Sequence, residues 1–196
     1  MKRIVVLGSG EGTNFSAIVE YFRRKQMAIE IYVISDVEGS GILRRAEAYG
    51  IPRELISRRL KKEERDSLLF QRLTELKPDL IVLAGYMLIL PPFIVRAFFQ
   101  KIVNIHPALL PAFKGAHAIE DAFRYGVKWT GVTIHYVDEG VDTGPIIAQI
   151  PVPVYEHDTL ETLTQRIHKA EHFIYPLVIE KILGGEKVEG TFEYQQ

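Results

Sequence analysis

Three side chains in this sequence combine hydrogen-bond donation, charge and proton exchange: Asn104 and His106, two residues apart, and Asp142 in a later acidic loop. The first two sit in Val103-Asn104-Ile105-His106-Pro107-Ala108-Leu109-Leu110-Pro111, an apolar strand that runs into a proline-punctuated loop. The amide is a neutral donor and the imidazole titrates near neutrality, so the pair can hold a developing oxyanion and move a proton. A carboxylate beside an imidazole favours its protonated form and fixes its orientation. With no Ser or Cys nucleophile in the set, the triplet suits direct transfer of an acyl-like group to a ligand amine. The plainer alternatives are a polar strand end with a surface His and, for Asp142, an acid that caps a turn before glycine.

A second stretch carries chemistry of its own. Gly8-Ser9-Gly10-Glu11-Gly12-Thr13-Asn14 follows an apolar strand and opens a helix running to about Arg24. Backbone N–H groups at a glycine-rich helix start face outward at the positive end of the dipole, which makes a phosphate site. Thr13 stands where a dinucleotide fingerprint has its third glycine, and the lysine of a Walker loop is missing. The reading is therefore a phosphate-bearing ligand; the alternative is a tight turn that binds nothing. Asp36, after the second strand, keeps a nicotinamide dehydrogenase in view, since an acid there holds a ribose hydroxyl in dinucleotide folds. His168-Lys169-Ala170-Glu171-His172 matches the H-x-x-E-H pattern of inverted zincins. A zinc site needs a third ligand and no clear candidate is at hand, so no metal is expected and these residues are read as rim or ligand contacts.

The elements that must position these groups follow from apolar patterning. The short apolar run Lys2–Leu7 reads as a strand of a parallel sheet, buried on both faces, Ile29–Ser35 as the second strand, and Leu80–Gly85, the most apolar signal, as the sheet centre, with helices between them at about 13–24, 40–49 and up to Leu76. A brief strand at Glu54–Ile56, a helix from near Pro92, a strand at Lys101–Ile105 and a helix from about Ala116 to Tyr125 continue the alternation. Strands Thr130–Val137 and Ile146–Val154 are joined by a loop too short for a crossover helix, so they pair antiparallel. Asp158, with Glu161 three residues on, predicts the capped start of a long helix ending at Gly184-Gly185. The fold class is α/β: a single-domain, Rossmann-like, mostly parallel sheet with helices on both faces and antiparallel strands toward the C-terminus. Tyr86 to Pro92 leaves the central strand as an apolar loop, either a surface for a flat apolar ligand or cover for the next helix.

Composition narrows the partners. Lys plus Arg is 24 against 25 Asp plus Glu, a net charge of −1, which argues against a nucleic-acid surface. The run Arg58-Arg59-Leu60-Lys61-Lys62-Glu63-Glu64-Arg65 has mixed signs and reads as the solvated entry of a helix. No apolar run is long enough to cross a bilayer and the N-terminus enters a strand pattern at once, so a cytoplasmic setting with no membrane partner is expected. Cysteine is absent, which removes disulfides, thiol catalysis and thiolate metal sites. Only two Asn occur, Asn14 and Asn104, amid plentiful Glu, Lys and Arg, the drift of heat-adapted chains in which replaceable Asn is lost. Both survivors lie in the two stretches singled out above.

Ser9-Gly10-Glu11-Gly12-Thr13-Asn14, Asn104-Ile105-His106-Pro107-Ala108-Leu109-Leu110-Pro111 and Val141-Asp142-Thr143-Gly144-Pro145, in that order and spacing, resemble the phosphoribosylglycinamide formyltransferases of purine synthesis over nearly the whole chain. The resemblance implies one formyltransferase domain over 1–196, with about 1–100 binding phosphate and about 101–185 carrying catalysis and folate binding. It implies Asn104, His106 and Asp142 as the catalytic trio, and Gly12, Thr13 and Asn14 as the phosphate cradle. His168, Lys169, Ala170 and Glu171 would face glycinamide ribonucleotide. Met87, Leu88, Ile89 and Leu90, with Asp138, Glu139, Gly140, Val141, Asp142 and Asn104, would line the site for the co-substrate 10-formyltetrahydrofolate, with Lys62 a further contact. Leu88 stands where the family often has Arg, Ala108 where Ser is frequent and Lys114 where Pro is common. These departures bear on folate affinity, through its glutamate tail, rather than on the reaction. Methionyl-tRNA formyltransferase and formyltetrahydrofolate hydrolase share the catalytic motif but usually carry further domains, which 196 residues would not hold. The partners implied are small molecules; the oligomeric state stays open, with a homodimer among the options.

Overall fold

The computed structural model describes residues 1–188. It is the α/β class expected: a seven-stranded sheet in the order β3-β2-β1-β4-β5-β6-β7, with helices around it. The chain falls into two compact units, Met1–Val103 and Asn104–Gln196.

In the first unit, β1 (Lys2–Leu7) pairs in parallel with β2 (Ile29–Ser35) on one side and β4 (Leu80–Leu83) on the other, and β2 pairs in parallel with β3 (Arg53–Leu55). In β1 and β4 the apolar runs behave as both-face burial requires, with Ile4, Val5, Val6, Leu7, Ile81 and Val82 fully buried, whereas β2 is only half-buried over Ile29–Tyr32. Helices α1 (Thr13–Arg24), α2 (Gly41–Ala48), α3 (Lys62–Leu76) and α4 (Pro92–Ala97) connect the strands. Their end charges suit the dipole, with Glu63 and Glu64 in the first turn of α3 and Arg23 and Arg24 in the last turn of α1. Gly12 begins α1 at φ 76, and a Cβ there would lie 2.7 Å from Ile42 Cα, so both backbone sign and space demand glycine.

The short strand β5 (Ile102–His106) leads into the second unit, which continues with α5 (Ala118–Tyr125), β6 (Trp129–Tyr136), β7 (Ile146–Pro153) and α6 (Leu160–Leu183). β6 and β7 pair antiparallel as expected, with a register irregularity between Ile134, opposite Ala148, and His135, opposite Ile146. A bulge of this kind twists the ladder and re-aims the side chains beside it. The helix start corrects the sequence expectation. Thr159, not Asp158, is the N-cap, and Thr162, not Glu161, completes the capping box. Asp158 is engaged elsewhere: its two oxygens each accept from Arg166 at 2.7 Å, and the Tyr155 N–H donates to it at 2.7 Å. That guanidinium, foremost among the causes, holds the Asp158 carboxyl well below the usual carboxylate range. Among the described residues, no helix is long and apolar enough to cross a membrane.

Candidate functional site

In the second unit the three chemical side chains are drawn together. His106 Nδ1 lies 3.4 Å from Asp142 Oδ2, and His106 is 4% exposed. His106 Nε2 donates to the carbonyl of Phe113 at 2.7 Å. Two residues past that carbonyl, the Gly115 N–H donates to Asp142 Oδ2 at 2.8 Å. One turn, Phe113-Lys114-Gly115, thus grips the imidazole by an oxygen and the carboxylate by an N–H. Phe113 holds φ 51, a region costly for an aromatic residue, and its ring meets Tyr125 of α5 edge-on at 5.9 Å. Asp142 itself sits at φ 51, which short acids tolerate better than other side chains.

A third polar group arrives from β6. His135, 2% exposed, donates from Nδ1 to the Tyr136 carbonyl at 2.9 Å. Its Nε2 is then the acceptor edge, 3.3 Å from Asn104 Nδ2 and 3.7 Å from Asp142 Oδ1. Asn104 therefore gives one of its two amide hydrogens to His135. Burial is the largest single effect on the Asp142 carboxyl and would raise its pKa. The Gly115 N–H and the charge of His106 are among the effects that outweigh it and hold Asp142 below the usual carboxylate range. Asp142 is consequently an anion at neutral pH. The turn-capping alternative goes to a different acid: Asp138 Oδ1 accepts from Gly140 N at 3.0 Å and Thr143 Oγ1 at 2.6 Å, closing the 138–143 loop. A Cβ on Gly144 would overlap the Tyr136 carbonyl oxygen, so this loop returns to β7 only through glycine.

The loop after His106 is fixed by a buried hydroxyl. Thr133, two residues before His135 and so on the same face of β6, donates to Ala108 O at 2.7 Å and accepts from Leu110 N at 3.0 Å. Gln149 Nε2 donates both to Leu110 O at 2.9 Å and to Thr133 Oγ1 at 3.0 Å. Ala108 is fully buried, while Lys114 is exposed. Of the residues expected to face the nucleotide on α6, His168 and Lys169 are exposed, whereas Ala170 is fully buried and Glu171 is 6% exposed. The helical period splits the stretch: the Ala170 side chain packs in the core, and Glu171 lies one turn from the fully buried Tyr175. The His168 and His172 rings stack at 6.4 Å. Among the described residues no three His, Asp or Glu gather as a metal site.

In the first unit the glycine loop has the form of an anion cradle. No side chain caps the start of α1 and no acid sits in its first turn, so nothing there offsets the positive end of the helix dipole. Gly12, Thr13 and Asn14 are half-buried. The loop is backed by α2, with Ile42 N donating to Gly10 O at 3.0 Å and Arg45 Nε to Glu11 O at 2.7 Å. Asp36 does not offer a free carboxylate to a ribose: it is 1% exposed, with Ser9 Oγ on one oxygen at 2.6 Å and Arg58 Nε on the other at 2.8 Å. The apolar loop after β4 divides between its two readings. Met87 and Ile89 are 63% and 71% exposed, an unusual display for such side chains, whereas Leu90 is buried and Leu88 half-buried. Lys62, the first residue of α3, is exposed, as are Glu139, Gly140 and Val141.

Sequence reasoning missed His135, Thr133, Gln149 and the Phe113–Gly115 turn. Alternation along Trp129–Tyr136 places Thr133 and His135 on one face of a buried strand, and two polar groups there were the available signal. The turn acts through backbone groups, which residue type does not reveal.

Comparison with known proteins gives one family. The formyl transferase family matches residues 2–179. The chain is 45% identical over 194 residues to phosphoribosylglycinamide formyltransferase of Bacillus subtilis, covering 95% of this chain and 100% of that one. It is 41% identical over 186 residues to the human trifunctional purine biosynthetic protein adenosine-3, of which it spans 18%. The crystal structure of phosphoribosylglycinamide formyltransferase from Bacillus halodurans superposes with a TM-score of 0.88 at 46% identity, covering 93% of this chain and 95% of that one.

The Thr133 knot yields a prediction. Thr133→Val removes the hydroxyl while keeping shape, leaving Ala108 O and Leu110 N without that partner in a buried setting. Such losses cost about 1–3 kcal/mol. We expect chemical denaturation to show that loss, together with a fall in turnover as the loop behind His106 loosens. Unchanged stability and turnover would show that the hydroxyl does not hold the loop.

Proposed function

The chain belongs to the formyl transferase family, and we propose from that membership that it moves the formyl group of 10-formyltetrahydrofolate to the amine of phosphoribosylglycinamide in purine biosynthesis. The observation that carries the mechanism is the Asp142 carboxylate, held ionised against His106 while Asn104 gives one amide hydrogen to His135.

The substrate amine attacks the formyl carbon, a C–N bond forms, and the carbonyl oxygen becomes an oxyanion. Asn104 donates its second amide N–H to that oxygen. His106, protonated beside the Asp142 anion, supplies positive charge; a direct bond from its Nε2 requires exchange of the Phe113 carbonyl for the oxyanion. Collapse of the tetrahedral species breaks the bond to N10 of the folate, and the proton shed by the attacking amine is returned to N10. His135 keeps Asn104 turned for donation by accepting its other hydrogen. Gly12, Thr13 and Asn14 receive the substrate phosphate at the start of α1, where the helix dipole is positive, and the exposed His168 and Lys169 serve as further nucleotide contacts. Met87 and Ile89 lie against the pterin, the apolar display that a flat heterocycle would cover, with Leu88, Leu90, Lys62 and the 138–142 loop at its margins. Glu171 and Ala170 support the nucleotide contacts from the core side of α6. Hydrogen-bond donors and proton exchange account for every step, so the reading calls on no metal. It carries small-molecule partners and a cytoplasmic setting.

The direct test is an assay of formyl transfer with phosphoribosylglycinamide and its dephosphorylated counterpart. We expect kcat/KM to fall by at least about tenfold on loss of the phosphate, one decade being about 1.4 kcal/mol. Equal use of both forms would remove the phosphate assignment, and no transfer to either would remove the function. Asn104→Ala should lower kcat on the order of 10²–10³-fold, as loss of one oxyanion donor does elsewhere, with nucleotide affinity little changed. A KM effect without a kcat effect would make Asn104 a binding residue.

A further inference from the structure

Resting on that reading, we propose that Ser9 is a positioning residue for the folate site: its hydroxyl sets the start of the apolar loop that meets the pterin, using a buried carboxylate as its anchor. Nothing in the mechanism above uses Ser9, Asp36 or Arg58, yet the first two are buried and all three are joined. Ser9 Oγ lies 2.6 Å from Asp36 Oδ1 and 2.9 Å from the N–H of Met87. A carboxylate accepts only, so the Ser9 hydrogen goes to Asp36 and its lone pair receives the Met87 N–H. The polarity of the relay is fixed: Arg58 donates to Asp36 Oδ2, Ser9 donates to Asp36 Oδ1, and Met87 donates to Ser9.

The backbone repeats the tie. Ser9 N donates to Gly85 O at 3.0 Å, so the segment leaving β1 and the segment leaving β4 remain bonded beyond the ends of their strands. Gly85, at φ 72, turns the chain out of the sheet there. Asp36 is itself immobilised: its carbonyl accepts from Arg58 N at 2.9 Å, and Arg58 NH2 approaches its carboxylate at 2.7 Å. Tyr86, next to Met87, is half-buried, and burial, foremost, with the charge of Asp36 pushes its phenol pKa up. The loop therefore leaves Gly85 with its first residues seated on a rigid polar post, which frees Met87 and Ile89 to stand exposed instead of folding down onto the core.

A charged anchor makes this arrangement stiff. Asp36 is 1% exposed, and a buried carboxylate with its oxygens taken by Ser9 and Arg58 resists rearrangement, because displacing a donor leaves part of its charge without a partner. Ser9→Ala leaves two such orphans, Asp36 Oδ1 and the Met87 N–H, at the root of the apolar loop. The Ser9 backbone bond to Gly85 is retained, so the glycine loop keeps its course toward Gly12.

Calorimetric titration of wild type, Ser9→Ala and Ser9→Thr with a non-transferring folate analogue, and separately with phosphoribosylglycinamide, tests the assignment alongside hydrogen exchange at the Met87 amide. In Ser9→Ala the folate analogue should bind about tenfold more weakly, the value of one charge-assisted hydrogen bond. Nucleotide affinity should stay within about threefold, on the scale of a fraction of one decade. The Met87 amide should exchange faster, and Ser9→Thr, which keeps the oxygen, should recover folate binding. Equal weakening toward both ligands, or unchanged Met87 exchange in Ser9→Ala, overturns the inference. A wild type that does not bind the folate analogue overturns the functional reading itself.

Discussion

An ionised carboxylate in partial burial is the constraint from which the chemistry of this fold follows. Asp142 cannot lose its hydration without replacement donors. The Gly115 N–H supplies one at 2.8 Å, and the Nδ1 edge of His106 lies 3.4 Å away. Each is itself held from a second side, by the path of the 113–115 turn and by the Phe113 carbonyl. The result is a closed set in which moving any one group strands another. All three positive-φ residues of the set, Phe113, Gly115 and Asp142, supply a hydrogen-bonding group to it. Backbone in sparsely populated regions persists where surrounding contacts over-determine it, as they do here.

The first unit is arranged on the same physical terms with different parts. Its central strands are apolar and buried over Ile4–Leu7 and Leu80–Leu83 and leave no polar group to place there, so the chemistry is pushed to the loops at their ends. There Asp36, just past the end of β2, is sealed by Ser9 and Arg58. Its carboxylate, 1% exposed, has no oxygen open to a ligand. That separates this chain from a dinucleotide binder, in which the corresponding acid faces a ribose.

Much of this is legible in the residues. Apolar runs of β type locate β1, β2, β4 and β5, the short 138–145 connection requires the antiparallel β6–β7 pair, and the chemistry of Asn104, His106 and Asp142 marks them out by residue type alone. What stays hidden has physical reasons for being so. The Phe113 carbonyl and Gly115 N–H belong to every residue alike, so no sequence pattern marks them. His135 and Gln149 become site supports only through a cross-strand register that shifts beside His135. The start of α6 moves from Asp158 to Thr159 because Arg166, two turns away, claims the acid. In the apolar loop, Met87 and Leu90 have the same chemistry by type, and only the Ser9 anchor and the packing decide which of them faces out.

The central claim is that the Asp142 charge supports a protonated His106 during transfer. The most direct measurement is kcat for formyl transfer against pH, for wild type and Asp142→Asn. Asp142 stays ionised in the wild type until the pH falls below the usual carboxylate range, so its support is present across the neutral range and is lost only in strong acid. In Asp142→Asn that anion is gone at every pH, and a protonated imidazole is less favoured. The profile should therefore move toward acid, with the deficit shrinking as pH falls, as long as the substrate amine remains free to attack. A uniform deficit with an unshifted profile would contradict the account and make Asp142 a positioning group for the 113–115 turn.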